Sequence, residues 1–251
     1  LIKSMKKYLL SAYCLVLTAL PALAQARTPL AARIDLRDLM ASPQFSNSIQ
    51  LILSLALISL IPFFLISVTS FLRIIIVFSL ARTAIGTQQV PPSSVIIGLA
   101  FFMTVFIMSP VWQEVNETAV IPYNQGKISQ AQAFEIGMKP LQKFMIRQTR
   151  EKDLALFVQF ARIEPPKSAE EIPIYVLIPS FMISELKTAF QIGFLLFIPF
   201  IMIDLTVANI LLSLGMFMLS PVMVSLPFKV LLFVLVDGWN LISRGLLMSF
   251  R

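Results

Sequence analysis

The sequence predicts an all-α membrane protein, built from hydrophobic helical hairpins around one amphipathic helical insertion. Three observations predict it. Hydrophobic residues make up 57% of the 251-residue chain and charged ones 13%, against about 45–50% and about 25% in ordinary soluble domains. Charge-free stretches recur that match or exceed the ~20 residues a spanning helix needs. The one polar stretch repeats its apolar residues with a helical period. The length suits a single domain.

The chain opens "LIKSMKKYLLSAYCLVLTALPALAQA". Lys3, Lys6 and Lys7 form a basic start, Tyr8 to Leu20 an apolar run of 13 residues, and Ala22-Leu23-Ala24 a small-x-small site. That layout is a cleavable signal peptide over residues 1–24, cut near Ala24 or, alternatively, Ala26. Its apolar run is short for a span. Cys14, the only cysteine, lies inside it, so the processed chain has no disulfide framework. Removal of three lysines lowers the basic count from 20 to 17 against 13 acids. The basic balance is therefore partly a targeting signal and gives no support to a nucleic-acid partner. Residues 25–48 are polar and mixed in charge, with Arg27, Arg33, Asp35, Arg37 and Asp38. They read as an exported N-terminal segment.

Residues 49–251 read as one domain. Leu51 to Phe71 runs 21 residues without a charge, with Pro62 expected to kink it in the middle. Arg73 and Arg82 follow with no acid near them, a pattern that suits the cytoplasmic side. Gly86 to Gln113 is charge-free again. Its helix is expected over Val95–Trp112, after Pro91-Pro92 and with Pro110 near its exit. Glu114 to Pro173, the core of an amphipathic region over 113–173, carries eight basic and eight acidic residues. Phe134, Met138 and Leu141 share one helical face, and Leu154, Phe157 and Phe160 another. Pro140 and Pro165-Pro166 punctuate the region. Ile174 to Arg251 is apolar but interrupted, by Glu185, Lys187, Asp204, Lys229, Asp237 and Arg244 and by prolines at 179, 199, 221 and 227.

The chain contains no histidine, which removes most metal sites and the usual nucleophile–base pairs. No phosphate-cradling glycine loop is present. Asp204 and Asp237 invite comparison with an intramembrane carboxylate dyad, but pairing of each with a base on a neighbouring helix is favoured. No enzymatic activity, metal or cofactor is expected. A proton- or solute-coupled transporter would use Arg73, Glu185, Lys187, Asp204 and Lys229 as a relay between proline-broken helices. The spans are few for that, and no internal repeat is visible.

The other reading is an assembly subunit whose copies form a pore. A charge at the centre of a lone span costs about 2.5–3.5 kcal/mol. Arg73, Arg82, Glu185, Lys187, Asp204, Lys229 and Asp237 are therefore expected to be buried in pairs or to meet between subunits. The stretch "LSLGMFMLSPVMVSLPFK", Leu212 to Lys229, also fits. Met216 and Met218 flank Phe217 beside Gly215, where the backbone can bend. Methionine packs adaptably, so several copies of this loop would make a hydrophobic constriction that excludes ions and yields to a passing chain. Core filler is the alternative role for the two methionines.

Three stretches resemble one family: "TSFLRIIIVFSLARTAIGTQQVPP" (69–92), "LIPSFMISELKTAFQIGFLLFIPFIMIDL" (177–205) and "LPFKVLLFVLVDGW" (226–239). They resemble the FliP family of the flagellar type III export apparatus, from about Ile49 onward. The signal peptide and "GTQQ" favour the flagellar branch over virulence-secretion relatives. The resemblance implies the main subunit of a multi-subunit helical export gate in the bacterial inner membrane, at the flagellar basal body. About five copies would join FliQ and FliR, with FlhB and FlhA as further partners and unfolded flagellar proteins as cargo. It implies that much of the assembly sits above the membrane plane. It places the family's methionine-rich loop on Met216-Phe217-Met218, where Phe217 departs from a run of methionines. It makes Glu185 and Lys229 inter-subunit charge partners, and puts Phe144, Arg150 and Phe157 where neighbouring subunits meet in the exported region. Packing within one subunit is the alternative for each.

Overall fold

The computed structural model describes residues 51–56, 58–87, 89–163 and 171–250. The signal peptide with Ala24, the exported segment 25–48 and Pro165-Pro166 lie outside them. The chain divides into two units, Leu1–Ser59 and Leu60–Arg251. In the first, residues 51–56 and 58–59 are helical, and Leu51, Leu55 and Ile58 are exposed.

The second unit runs α1 (Ile61–Val68), α2 (Phe71–Ile85), α3 (Ser93–Val115), a π-helical turn (Asn116–Val120), α4 (Ile121–Asn124), α5 (Gln130–Gln148), α6 (Glu151–Ala161), α7 (Ile174–Ser213), α8 (Pro221–Leu235) and α9 (Gly238–Met248). No strand occurs among the described residues. The fold is all-α.

Proline acts differently from expectation. Pro62 stands in the first turn of α1, where its missing N–H breaks no helical bond. It marks the start of α1. The chain bends sharply at Thr69–Ser70, where α1 and α2 diverge by 87°. The Ser67 hydroxyl donates back to the Phe63 carbonyl at 2.7 Å, and that of Thr69 to the Leu65 carbonyl. Such back-bonding gives the last carbonyls of α1 a partner. Pro110 lies inside α3, and α7 passes through both Pro179 and Pro199 without ending. Pro110 stands near the exit of α3 as expected, whereas the breaks expected of Pro179 and Pro199 do not occur. At 40 residues, α7 is about 60 Å long, twice the ~30 Å of a bilayer's hydrocarbon core.

Glycine and side-chain caps set other ends. α2 stops at Gly86, left-handed at φ 90°; glycine adopts that conformation without a Cβ penalty. α5 opens on a capping box in which the Ser129 N–H donates to Gln132 Oε1 at 2.9 Å and the Gln132 N–H to Ser129 Oγ at 3.4 Å.

Two hydrophobic clusters hold the second unit together. In one, Ile74, Val77, Phe78 and Ala81 of α2 pack with Ile96 and Ala100 of α3, Phe200 of α7, Phe233 of α8 and Leu246 of α9. Gly193 permits a close approach of α2 to α7, since a Cβ there would fall 2.3 Å from Leu80 Cδ1. In the other, Met145, Val176, Leu177 and Phe181 pack with Leu154, Phe157, Val158 and Ala161. The packed face of α6 is thus 154, 157, 158 and 161, the i, i+3, i+4, i+7 stripe. Phe160, expected on that face, is 78% exposed. Phe134 is likewise exposed while Leu141 is buried. Two helices, Ser93–Asn124 and Ile174–Ser213, are long and apolar enough to cross a membrane; the bent pairs α1–α2 and α8–α9 bring the number to four if each is one span.

Candidate functional site

Most of the charges that look indefensible in an apolar chain form three groups, the first two adjoining at Ser184 and Glu185. Arg73, near the start of α2, is buried, and Glu185 of α7 is fully so. Arg73 Nε donates to Glu185 Oε2 at 2.9 Å and Nη2 to Oε1. Nη1 donates to the carbonyl and the hydroxyl of Ser249, both at 3.0 Å, and Nη2 also to Gln148 Oε1 at 3.0 Å. Five acceptors therefore meet the five N–H groups of the guanidinium. The Phe250 ring centroid lies 3.9 Å from Cζ, close enough for a cation–π contact. Arg73, expected to be buried in a pair or to meet a neighbouring subunit, is buried and paired within its own chain. It ties α2, α5, α7 and the residues after α9 to one point.

The second group fastens α6 to α7. Asp153 is buried and accepts from Ser184 Oγ at 2.8 Å and from Lys187 Nζ. The backbone N–H of Arg150 donates to the same Ser184 Oγ at 2.8 Å. The Arg150 guanidinium reaches Thr188 Oγ1 at 3.1 Å and Gln191 Oε1 at 2.5 Å. Burial alone would raise the Asp153 carboxyl. The hydrogen bonds from Lys187 and Ser184, with the charges of Lys187 and Arg150, outweigh it and hold the carboxyl below its ordinary value. Phe144 packs on Phe181 and Phe250, with centroids 6.1 Å and 6.4 Å away, and Phe157 packs in the second cluster. Phe144, Arg150 and Phe157 are thus all engaged inside the chain. Asp153 is not among the residues expected from sequence; an acid in the first turn of a helix directly after Arg150 is the signal that could have found it.

The third group closes the α7–α8 hairpin. Lys229 Nζ donates to Asp204 Oδ2 at 2.6 Å, and Ser225 Oγ to Oδ1 at 2.5 Å. Ser225 and Lys229 are four residues apart and so share one face of α8. Glu185 and Lys229, marked from the resemblance as partners across subunits, each find an opposite charge in their own chain. Asp237 stands exposed and left-handed, at φ 49°, where α8 gives way to α9. Asp204 is bound to Lys229 and Ser225, not to Asp237. Arg82 sits in the last turn of α2, its Nη1 donating to the Pro91 carbonyl at 3.2 Å and Ser93 Oγ at 3.1 Å. Among the described residues no group of three or more metal-ligating side chains is found.

The remaining feature is the tip of the hairpin. The Gly215 N–H donates to the Leu212 carbonyl at 3.1 Å and the Met216 N–H to that of Leu211 at 2.9 Å. This is a Schellman closure, and it needs the left-handed backbone that Gly215 takes at φ 71°. Pro221 then starts α8 in its first turn. Between glycine and proline, Met216, Phe217 and Met218 are 43%, 77% and 101% exposed. The two methionines fill no core in this chain.

A sequence model of the FliP family matches residues 54–246. The chain is 52% identical over 205 residues to the flagellar biosynthetic protein FliP of Bacillus subtilis (strain 168), covering 82% of this chain and 93% of that protein. It is 51% identical over 203 residues to the FliP of Pectobacterium carotovorum subsp. carotovorum, 81% of this chain and 79% of that one. With the FliP of Aquifex aeolicus (strain VF5) it shares 46% over 207 residues, 82% and 87% of the two chains.

Proposed function

Because the chain belongs to the FliP family, we propose that it is a structural, non-catalytic subunit of the flagellar protein-export gate, whose Met216-Phe217-Met218 turn forms the yielding part of the constriction. The observation that carries this reading is the tip itself: three large apolar side chains held in the open by a glycine closure and a proline start. In water a lone chain gains nothing from exposing them. Several copies facing one axis would remove them from water and close a dewetted ring. Methionine's unbranched, polarizable side chain lets such a ring part around an unfolded flagellar protein and close behind it.

In this reading the mature subunit follows cleavage at Ala24 and works in the bacterial inner membrane at the flagellar basal body. About five copies assemble with FliQ and FliR, and FlhB and FlhA act beside them. The driving energy comes from elsewhere in the apparatus, since the sequence carries no phosphate-cradling glycine loop. The paired charges Arg73, Glu185, Lys187, Asp204 and Lys229 brace each subunit internally. Exposed Asp237 remains to meet a neighbour. In the exported region Phe144, Arg150 and Phe157 lie where neighbouring copies meet while also packing inside their own chain, and exposed Phe134 and Phe160 add to that surface. A coupled transporter would need a continuous relay, whereas the charges are split among three groups.

The test is a double substitution, Met216→Ala with Met218→Ala, followed by ion conductance across the membrane of cells making the complex. The expected result is raised leak at unchanged recovery of the assembled complex. Conductance equal to that of the unaltered chain would overturn the assignment.

A further inference from the structure

A groove on the second unit shares no lining residue with the Met216-Phe217-Met218 tip. It has a volume of about 410 Å³ and is lined by Ile85 and Val90, by Val95 and Leu99 on the first two turns of α3, by Val230 of α8 and by Trp239 of α9. That volume falls in the range of about 300–1,000 Å³ typical of small-molecule sites. Thr87 in its lining spends its hydroxyl on the Val90 carbonyl at 2.7 Å. The rest of the lining is hydrocarbon apart from the indole N–H of Trp239.

One cation stands at its mouth. Nη1 of Arg82 holds the guanidinium against Pro91, which also lines the groove. Its Nε and Nη2 make no hydrogen bond or ion pair among the described residues. From Leu51 to Gln113 the chain carries two charges, Arg73 and Arg82, and no acid. Arg73 is neutralised by Glu185, so Arg82 is the unbalanced one. Its position has meaning beside a membrane. Ser93, which Arg82 touches, is the first residue of a helix long and apolar enough to span. The cation thus lies where that span begins, and the groove follows the span inward. A soluble anion would meet Arg82 and leave the floor bare; a plain hydrocarbon would do the reverse.

We infer that this groove binds an anionic glycerophospholipid, one acyl chain along the apolar floor and the phosphate on Arg82. The full-length chain, purified in mild detergent in the complex it forms, would be stripped of lipid. It would then be offered phosphatidylglycerol or phosphatidylcholine, and retained lipid would be counted by native mass spectrometry. Phosphatidylglycerol should be retained about fivefold better, the worth of one basic residue at an anionic surface. Arg82→Gln should erase that preference and Arg82→Lys keep it. Leu99→Trp, which fills the floor, should reduce retention of both lipids while leaving complex recovery unchanged. Equal retention of the two lipids, or a preference that survives Arg82→Gln, overturns the headgroup assignment. Undiminished retention in Leu99→Trp overturns the groove. A photo-crosslinker at position 99 that captures a protein subunit instead of lipid also overturns the proposal, by showing a helix in its place.

Discussion

The two halves of α7 belong to the same unbroken helix and have little else in common. Of its ten buried residues, eight (Val176, Leu177, Ser180, Phe181, Ser184, Glu185, Ala189 and Gly193) lie in the first half, and only Phe200 and Leu211 in the second. The first half holds two charge groups, packs against α2, α5 and α6, and approaches α2 without a side chain at Gly193. The second half faces α8 and relies on Asp204, Ser225 and Lys229. Free energies of local opening follow buried contacts, so stability is graded along one element, high at the base and low at the tip. The low-stability end carries the residues proposed to move.

That contrast can be attacked from its strongest point downward. Glu185→Ala leaves Arg73 buried beside no counter-charge, and such a loss costs about 3–5 kcal/mol. The folded subunit should largely disappear from membrane extracts, because the partner of Glu185 is in its own chain. A melting temperature equal to that of the unaltered protein would show that the base is held by packing alone. Lys229→Ala should cost less, about 1–3 kcal/mol, because the Asp204 side chain is 30% exposed and can regain water. Amide exchange should quicken across 205–228 and stay slow across 174–193. Equal acceleration in both would abolish the gradient.

Acid offers a gentler probe of the base. The Asp153 carboxyl is held below its ordinary value in the folded chain, so the unfolded chain binds its proton at higher pH. Its contribution is therefore complete above the unfolded carboxyl's pKa, about 3.9, and is lost as pH falls through the lower folded value. Exchange of α6 amides should speed up below about pH 4, and Asp153→Asn should remove this pH dependence. A variant that keeps the full response would assign it to other carboxylates. The smallest effect belongs to the tip. Exposed as they are, Met216→Ala and Met218→Ala together should shift stability by less than about 0.5 kcal/mol, measured by melting. A larger shift would make them packing residues after all.

Much of this architecture is legible in the amino-acid sequence alone. A charge-free run locates α3, and the apolar period locates α5 and α6. Glycine and proline around Met216-Phe217-Met218 mark the tip, since Gly215 and Pro221 act locally. What stays hidden is set by distant contacts. Arg73 and Glu185 are 112 residues apart, and nothing near either names the other. Phe160 falls on the expected packed face because 154, 157 and 160 keep an i+3 step, but the stripe drifts to 158 and 161 over two turns. Pro179 and Pro199 read as breaks by propensity, and the surrounding packing overrides that preference.

The length of α7 has a mechanical consequence. From Glu185 to Leu214 the helix advances roughly 43 Å at 1.5 Å per residue. A pivot of about 5° at the Glu185 end would swing the far end by roughly 4 Å over that rise, which equals the reach of one apolar contact, about 4.0–4.5 Å. In the gate proposed above, such an arm multiplies a displacement at its fulcrum too small to break the Arg73 bonds into one that separates the methionines of neighbouring copies. A gate so built needs no hinge at the lips.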